Sequence, residues 1–166
     1  MNKEIIRRSP LFRNISEQTL DNLTAASREV AFLKGYDIIK DGELGSCLYL
    51  LKTGTVSITK KLTMLEDHDL DLMDKELIHM TAEQNAFFGE MVICSGTDKR
   101  SATVSAVTDC ELLELSSEDI NGILSADPAS AASFYRNLAT MLGERLRKSN
   151  NDVLKLTTAL SLALDE

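Results

Sequence analysis

The chain has 166 residues, 43% of them hydrophobic and 27% charged, which is enough for one packed core and too little for two. Eighteen Lys and Arg against 26 Asp and Glu leave a net charge of −8, so neither nucleic acid nor an anionic membrane is attracted by the global field, and any anionic ligand depends on a local cradle. Cys47, Cys94 and Cys110 stand far apart with no CxxC pair and no run is long enough for a signal peptide or membrane span, which predicts buried free thiols, no disulfide framework or metal cluster, and a cytoplasmic protein.

Residues 9–28, SPLFRNISEQTLDNLTAASR, open with Ser16 as an N-cap and with Ile15 and Leu20 placed as a hydrophobic staple across it. Leu20, Leu23 and Ser27 follow at helical spacing, giving a short amphipathic entry helix. From Val30 the period shortens. Val30 and Phe32, then Ile38 and Ile39, form two short strands punctuated by Gly35, Gly42 and Gly45. Residues 47–51 and 56–58 form the next pair about the turn Lys52-Thr53-Gly54. Short strands with glycines at regular intervals predict an all-β roll or barrel.

Residues 62–82 read as a solvated hairpin with Glu66, Asp67, Asp69, Asp71, Asp74 and Glu76 crowded together. The DxDxD at 67, 69 and 71 is followed by Leu72 where a calcium loop needs glycine and lacks the closing glutamate, so no metal is assigned. His68 and His79 form no HxH pair, which disfavours a cupin-like metalloenzyme. No cysteine group suits an iron–sulfur cluster, and a haem ligand would have to come from the lone His79. No nucleophile–base motif is present, and the chain is not expected to be an enzyme.

The stretch at 87–106, FFGEMVICSGTDKRSATVSA, carries the chemistry. Gly89 allows close backbone approach to a ligand, successive exposed amides make an anion-binding concavity, and Arg100 offers a planar fork of donors to phosphate oxygens. Glu90 repels a phosphate and therefore suits a hydroxyl donor, so a ribose phosphate with a free 2′-OH satisfies both residues. Beyond it, residues 103–107 and 111–115 alternate as strands, and Ser116 or Ser117 caps a short helix seated by Ile120, Ile123 and Leu124. Asp127-Pro128 then starts a long helix as N-cap and first-turn proline, with no further proline to Leu164 and Gly143 as its weak point. Leu142, Leu146, Ser149, Val153, Leu156, Leu160 and Ala163 make a heptad seam. That seam suits a second helix, or a fold back over the roll with a break at Asn150-Asn151.

The pattern FGE, nine residues, then RSATV closely resembles the phosphate-binding cassette of the cyclic-nucleotide-binding domains. GELGSCLYLLKTGTVSI and ATVSAVTDCELLELS resemble further landmarks of that family, and LATMLGERLRKSNND resembles its dimerising helix. The resemblance implies a mostly β fold with flanking helices, a double-stranded β-helix or jelly-roll-like β roll over residues 9–126 followed by a long C-terminal dimerisation or lid helix over 127–166. It implies a ligand, cAMP or else cGMP, held by Gly89, Glu90, Met91, Arg100 and Ser101, with Ser149 and Asn150 on the long helix reaching the base. No separate cofactor is implied. It further implies a homodimer, a downstream protein partner, and no DNA binding, since only 16 residues follow Asn150 where a regulator of this type continues into a helix-turn-helix module. The alternative is a dimeric scaffold on the same fold that binds no nucleotide. Val92 and Gln84-Asn85 depart from the small residue and glycine common at their places.

Overall fold

A computed structural model of the chain describes residues 1–61 and 74–164. After α1 (Asn2–Arg8), a 3-10 turn (Pro10–Phe12) and α2 (Glu17–Ala26), the chain enters the strands β1 (Arg28–Phe32), β2 (Asp37–Ile39), β3 (Leu44–Gly45), β4 (Cys47–Thr53), β5 (Thr55–Lys61) and β6 (Asp74–Thr81). Then come β7 (Phe87–Phe88), the single-turn helix α3 (Val92–Ser95), β8 (Asp98–Lys99), β9 (Thr103–Ala106) and β10 (Cys110–Ser116), closed by α4 (Ser117–Ser125) and α5 (Pro128–Leu164). One antiparallel sheet runs β1-β10-β4-β7 and faces a second, β2-β9-β5-β6, while β3 pairs with β8 alone. The fold is therefore the mostly β roll with a long C-terminal helix that the sequence predicts.

The near-continuous apolar run of β4 has a physical reason. Side chains alternate across a strand, and here both faces of the first sheet are covered. Leu48 and Leu50 turn towards the helices, joining Leu113, Leu115, Ile120 and Phe134 in one core cluster. Tyr49 and Leu51 turn the other way into the space between the sheets, against Val56, Val104, Ala106 and Leu112. Each such leucine, wholly removed from water, contributes about 1.5–3 kcal/mol. The acidic DxDxD stretch and His68 lie outside the described residues, whereas His79 lies on β6 beside the Ser57 position of β5.

Two features of the helical layer differ from expectation. The first residues form a helix, because Ile6 plugs wholly into the helix-side core while Arg7 and Arg8 stay outside, so the packed unit begins ahead of residue 9. The thiols also differ: Cys110 is buried and Cys47 partly so, but Cys94 is exposed, because α3 is a single turn whose inner side is already taken by Val92 and Ile93. Ser16 does cap α2, accepting from the Thr19 N–H at 3.1 Å, and Ser116 rather than Ser117 caps α4.

Asp127 joins the beginnings of α2 and α5. Its carboxylate accepts from the hydroxyls of Ser130 at 2.6 Å, Ser16 at 2.7 Å and Thr19 at 2.8 Å, and from the Ser130 N–H at 3.1 Å. These donors, the Ser130 hydroxyl foremost, hold the carboxyl well below the usual range. A folded-state value depressed below the unfolded one contributes stability that is complete above the unfolded pKa of about 4 and is lost as the pH falls further. Thermal melts between about pH 5 and pH 2 should therefore fall more steeply for the wild type than for Asp127→Asn. Parallel curves would remove Asp127 from the acid response.

Helix α5 runs unbroken through Gly143 and Asn150-Asn151. Its first turns dock through Phe134, whose ring lies 5.3 Å from that of Phe12, and through Leu138. Residues 144–164 are exposed, so the helix does not fold back over its own roll.

Candidate ligand-binding site

The approach to the site is a set of tight turns. A 3-10 turn at Ala82–Gln84 ends on Asn85, which takes the left-handed φ of 51° that asparagine tolerates better than most residues and that a glycine fits readily. Asn85 thus makes a left-handed turn that would otherwise call for glycine. Phe87 and Phe88 then pair with Leu50 and Tyr49 of β4. Gly89 follows at φ 81°, and a Cβ there meets the Cys47 carbonyl oxygen at 2.7 Å and Arg100 Nη1 at 2.8 Å. Only glycine fits both restraints. α3 is pinned from beneath by α4: Asn121 donates to the Ile93 carbonyl at 3.1 Å and the Ser117 hydroxyl to the Gly96 carbonyl at 2.6 Å.

Arg100 returns to the site from β8. Its backbone is fixed on both sides, donating to Glu43 O at 2.8 Å and accepting from Gly42 N at 2.9 Å. Its side chain lies flat across Gly45, where a Cβ falls 2.1 Å from Nε, and donates to Cys47 O at 2.9 Å and Gly89 O at 3.3 Å. Two backbone carbonyls therefore aim the guanidinium and leave further N–H donors for a ligand. Burial pushes the Cys47 thiol up, so it stays neutral beside that charge. Burial, reinforced by the hydrogen bond to Glu114, likewise raises the Tyr49 phenol. Lys60 supports the same corner, donating to Ser101 O at 2.7 Å and Asp41 Oδ1 at 2.9 Å.

These groups surround a pocket of about 280 Å³. Ile39, Ile58 and Val104 give it an apolar floor from the second sheet, and Lys99, Arg100 and Ser101 a polar side. Val92 is buried in its wall, and Met91 is 57% exposed. Glu90 is 3% exposed and is paired with the Arg145 guanidinium from α5, which also lies 5.6 Å from the centre of the Phe87 ring. A carboxylate removed from water requires such a partner. The site thus offers a fixed cation, a hydroxyl and a buried carboxylate around an apolar space, a donor and acceptor set chemically suited to an anion beside a hydroxylated ring.

Of the residues singled out in the sequence, Gly89, Glu90, Met91, Arg100 and Ser101 gather at this pocket. Ser149 and Asn150 do not; they are exposed on α5, one turn beyond Arg145. Arg145 and Gly45 were missed. Arg145 lies within LATMLGERLRKSNND but reads as ordinary helix surface, and Gly45 reads as turn punctuation. The only available signal was that a carboxylate beside a phosphate site needs a cation when no ligand hydroxyl is present.

The family described as "Cyclic nucleotide-binding domain" matches residues 29–127. The chain is 31% identical over 130 residues to a cyclic nucleotide-gated potassium channel of Rhizobium etli, covering 78% of this chain and 32% of the channel. It is 30% identical over 142 residues to the cyclic AMP receptor protein of Thermus thermophilus, covering 86% of this chain and 59% of that protein. The chain therefore spans about a third to three fifths of the length of these curated relatives. Among solved structures, the N-terminal domain of a transcriptional regulator from Streptomyces coelicolor superposes with a TM-score of 0.70 at 26% identity, over 90% of this chain and 94% of that one.

Proposed function

Because the chain belongs to the cyclic nucleotide-binding domain family, we propose that it is a sensor module that binds a 3′,5′-cyclic purine nucleotide, cyclic AMP first and cyclic GMP second, and signals through α5. The observation that carries this is the pairing, at one pocket, of an Arg100 aimed by backbone carbonyls with a buried Glu90. Arg100, the Ser101 hydroxyl and the cassette amides take the cyclic phosphate. Glu90 accepts from the ribose 2′-OH. Since Arg145 holds the same carboxylate, the ligand's hydroxyl and α5 meet on one group, and occupancy shifts the population of α5 positions. The roll is the sensor and α5 the output helix. The chain works in the cytoplasm, catalyses no reaction, and passes the signal to a separate protein. A net charge of −8 supplies no counterion release towards DNA.

Calorimetric titration with cyclic AMP, cyclic GMP and 2′-deoxy cyclic AMP tests this. Binding of the first with weaker binding of the deoxy analogue supports it. No heat and no thermal shift at millimolar nucleotide replaces it with the nucleotide-free scaffold.

The output helix pairs with a second copy. Leu146, Val153, Leu156 and Leu160 are all more than half exposed along one seam, and burying that stripe between two helices removes enough apolar surface to hold a dimer at micromolar concentration. Leu146→Asp or Leu156→Asp should run as monomer by light scattering. Ser149 and Asn150, one turn past Arg145, reach the base once α5 closes on the ligand, so Ser149→Ala should keep the dimer and weaken cyclic AMP by about 1 kcal/mol. A wild-type monomer across the micromolar range, with and without nucleotide, overturns this arrangement.

A further inference from the structure

Met91 stands at the mouth of the pocket, 57% exposed, and the Ser101 hydroxyl donates to its thioether sulfur at 3.6 Å. A thioether is a weak acceptor, so in the ordinary protein a phosphate oxygen takes that hydroxyl with little competition. Building on the nucleotide-binding function proposed above, we propose that Met91 is an oxidative modification site, and that its sulfoxide weakens the ligand by holding Ser101 and crowding the phosphate side of the pocket.

The oxidant class is a hydroperoxide. The sulfur lone pair attacks one peroxide oxygen, the O–O bond breaks as the S–O bond forms, and the other oxygen leaves with a proton as water or an alcohol. Sulfur loses two electrons and the peroxide gains them. The new oxygen is polar and strongly accepting, so the contact that was weakest at the thioether becomes a firm hydrogen bond directed away from the ligand. Position sets the selectivity within the described part of the roll. Met80 and Met141 are partly buried against the two core clusters, whereas Met91 projects from the cassette; Met1, 87% exposed ahead of α1, oxidises as readily but is not among the residues that line the pocket.

The test treats the full chain with hydrogen peroxide, reduces it with dithiothreitol to reverse oxidation at the exposed Cys94 thiol, and maps oxidation by peptide mass spectrometry before cyclic AMP is titrated. The expected result is early sulfoxide at Met91 and a roughly tenfold weaker dissociation constant, the worth of one hydrogen bond to a charged group. Methionine sulfoxide reductases should restore the affinity where dithiothreitol does not. Met91→Leu, compared with itself before and after peroxide, should show no change. Wild-type affinity that survives full oxidation of Met91, or an equal loss in Met91→Leu, overturns the inference and leaves nucleotide binding standing. Untreated protein that binds no nucleotide overturns both.

Discussion

Replacing Arg100 by alanine should weaken cyclic AMP binding by roughly tenfold to a hundredfold, the equivalent of about 1.5–3 kcal/mol for a hydrogen-bonded charge at a partly enclosed site. Orientation is the reason the loss is large. Cys47 O and Gly89 O already hold the two Nη atoms, so the guanidinium meets a phosphate without first surrendering rotamer freedom. Arg100→Lys keeps the charge but has a point donor that cannot rest on both carbonyls and present a planar edge. It should recover part of the affinity and not all of it. Calorimetry on the two variants beside the wild type is the measurement. An alanine variant with wild-type affinity removes Arg100 from the site.

Gly45→Ala should reproduce most of that loss without touching any ligand group. The added Cβ falls 2.1 Å from Arg100 Nε and 2.4 Å from Cζ, a distance at which one side must move. The arginine moves, being a flexible side chain, and its aim is lost. The roll should survive, since Gly45 is not among the glycines with positive φ and the clash is with a side chain. Gly89→Ala makes a useful contrast, because there φ is 81° and the obstacle includes the Cys47 backbone, so a fall in melting temperature is expected as well. In a double-mutant cycle, Gly45→Ala with Arg100→Ala should bind no worse than Arg100→Ala alone. Additive losses would show that Gly45 acts by some route other than Arg100.

The fold was legible because local rules agreed with the tertiary outcome. Short apolar strands separated by glycine turns, a serine ahead of α2 and an Asp-Pro at the start of α5 each specify an element from its own residues, although β4 runs on through Lys52 and Thr53 and leaves Gly54 alone at the turn. α1 was not legible, since one buried isoleucine among charged residues makes too short a period to read. The exposed Cys94 was not legible either, because burial on a one-turn helix is decided by what packs beneath it.

The sequence by itself determined the cassette side of the pocket. Groups suited to an anion, namely backbone amides, a small turn and a fixed cation, can all lie on one continuous stretch, here Gly89 to Ser101, whose Gly89, Glu90, Met91, Arg100 and Ser101 line one pocket. The tertiary structure alone decided how that stretch is held and what faces it. Gly45 matters only because β3 and β8 pair and lay Arg100 across it. Arg145 matters only because α5 docks through Phe134 and Leu138 and so carries one otherwise ordinary helix-surface arginine over a buried carboxylate. The helix period marks which residues share a face, but only packing sets the height and angle at which that face meets the roll. For the same reason Ser149 and Asn150, plausible in the sequence motif, stand one turn beyond the pocket.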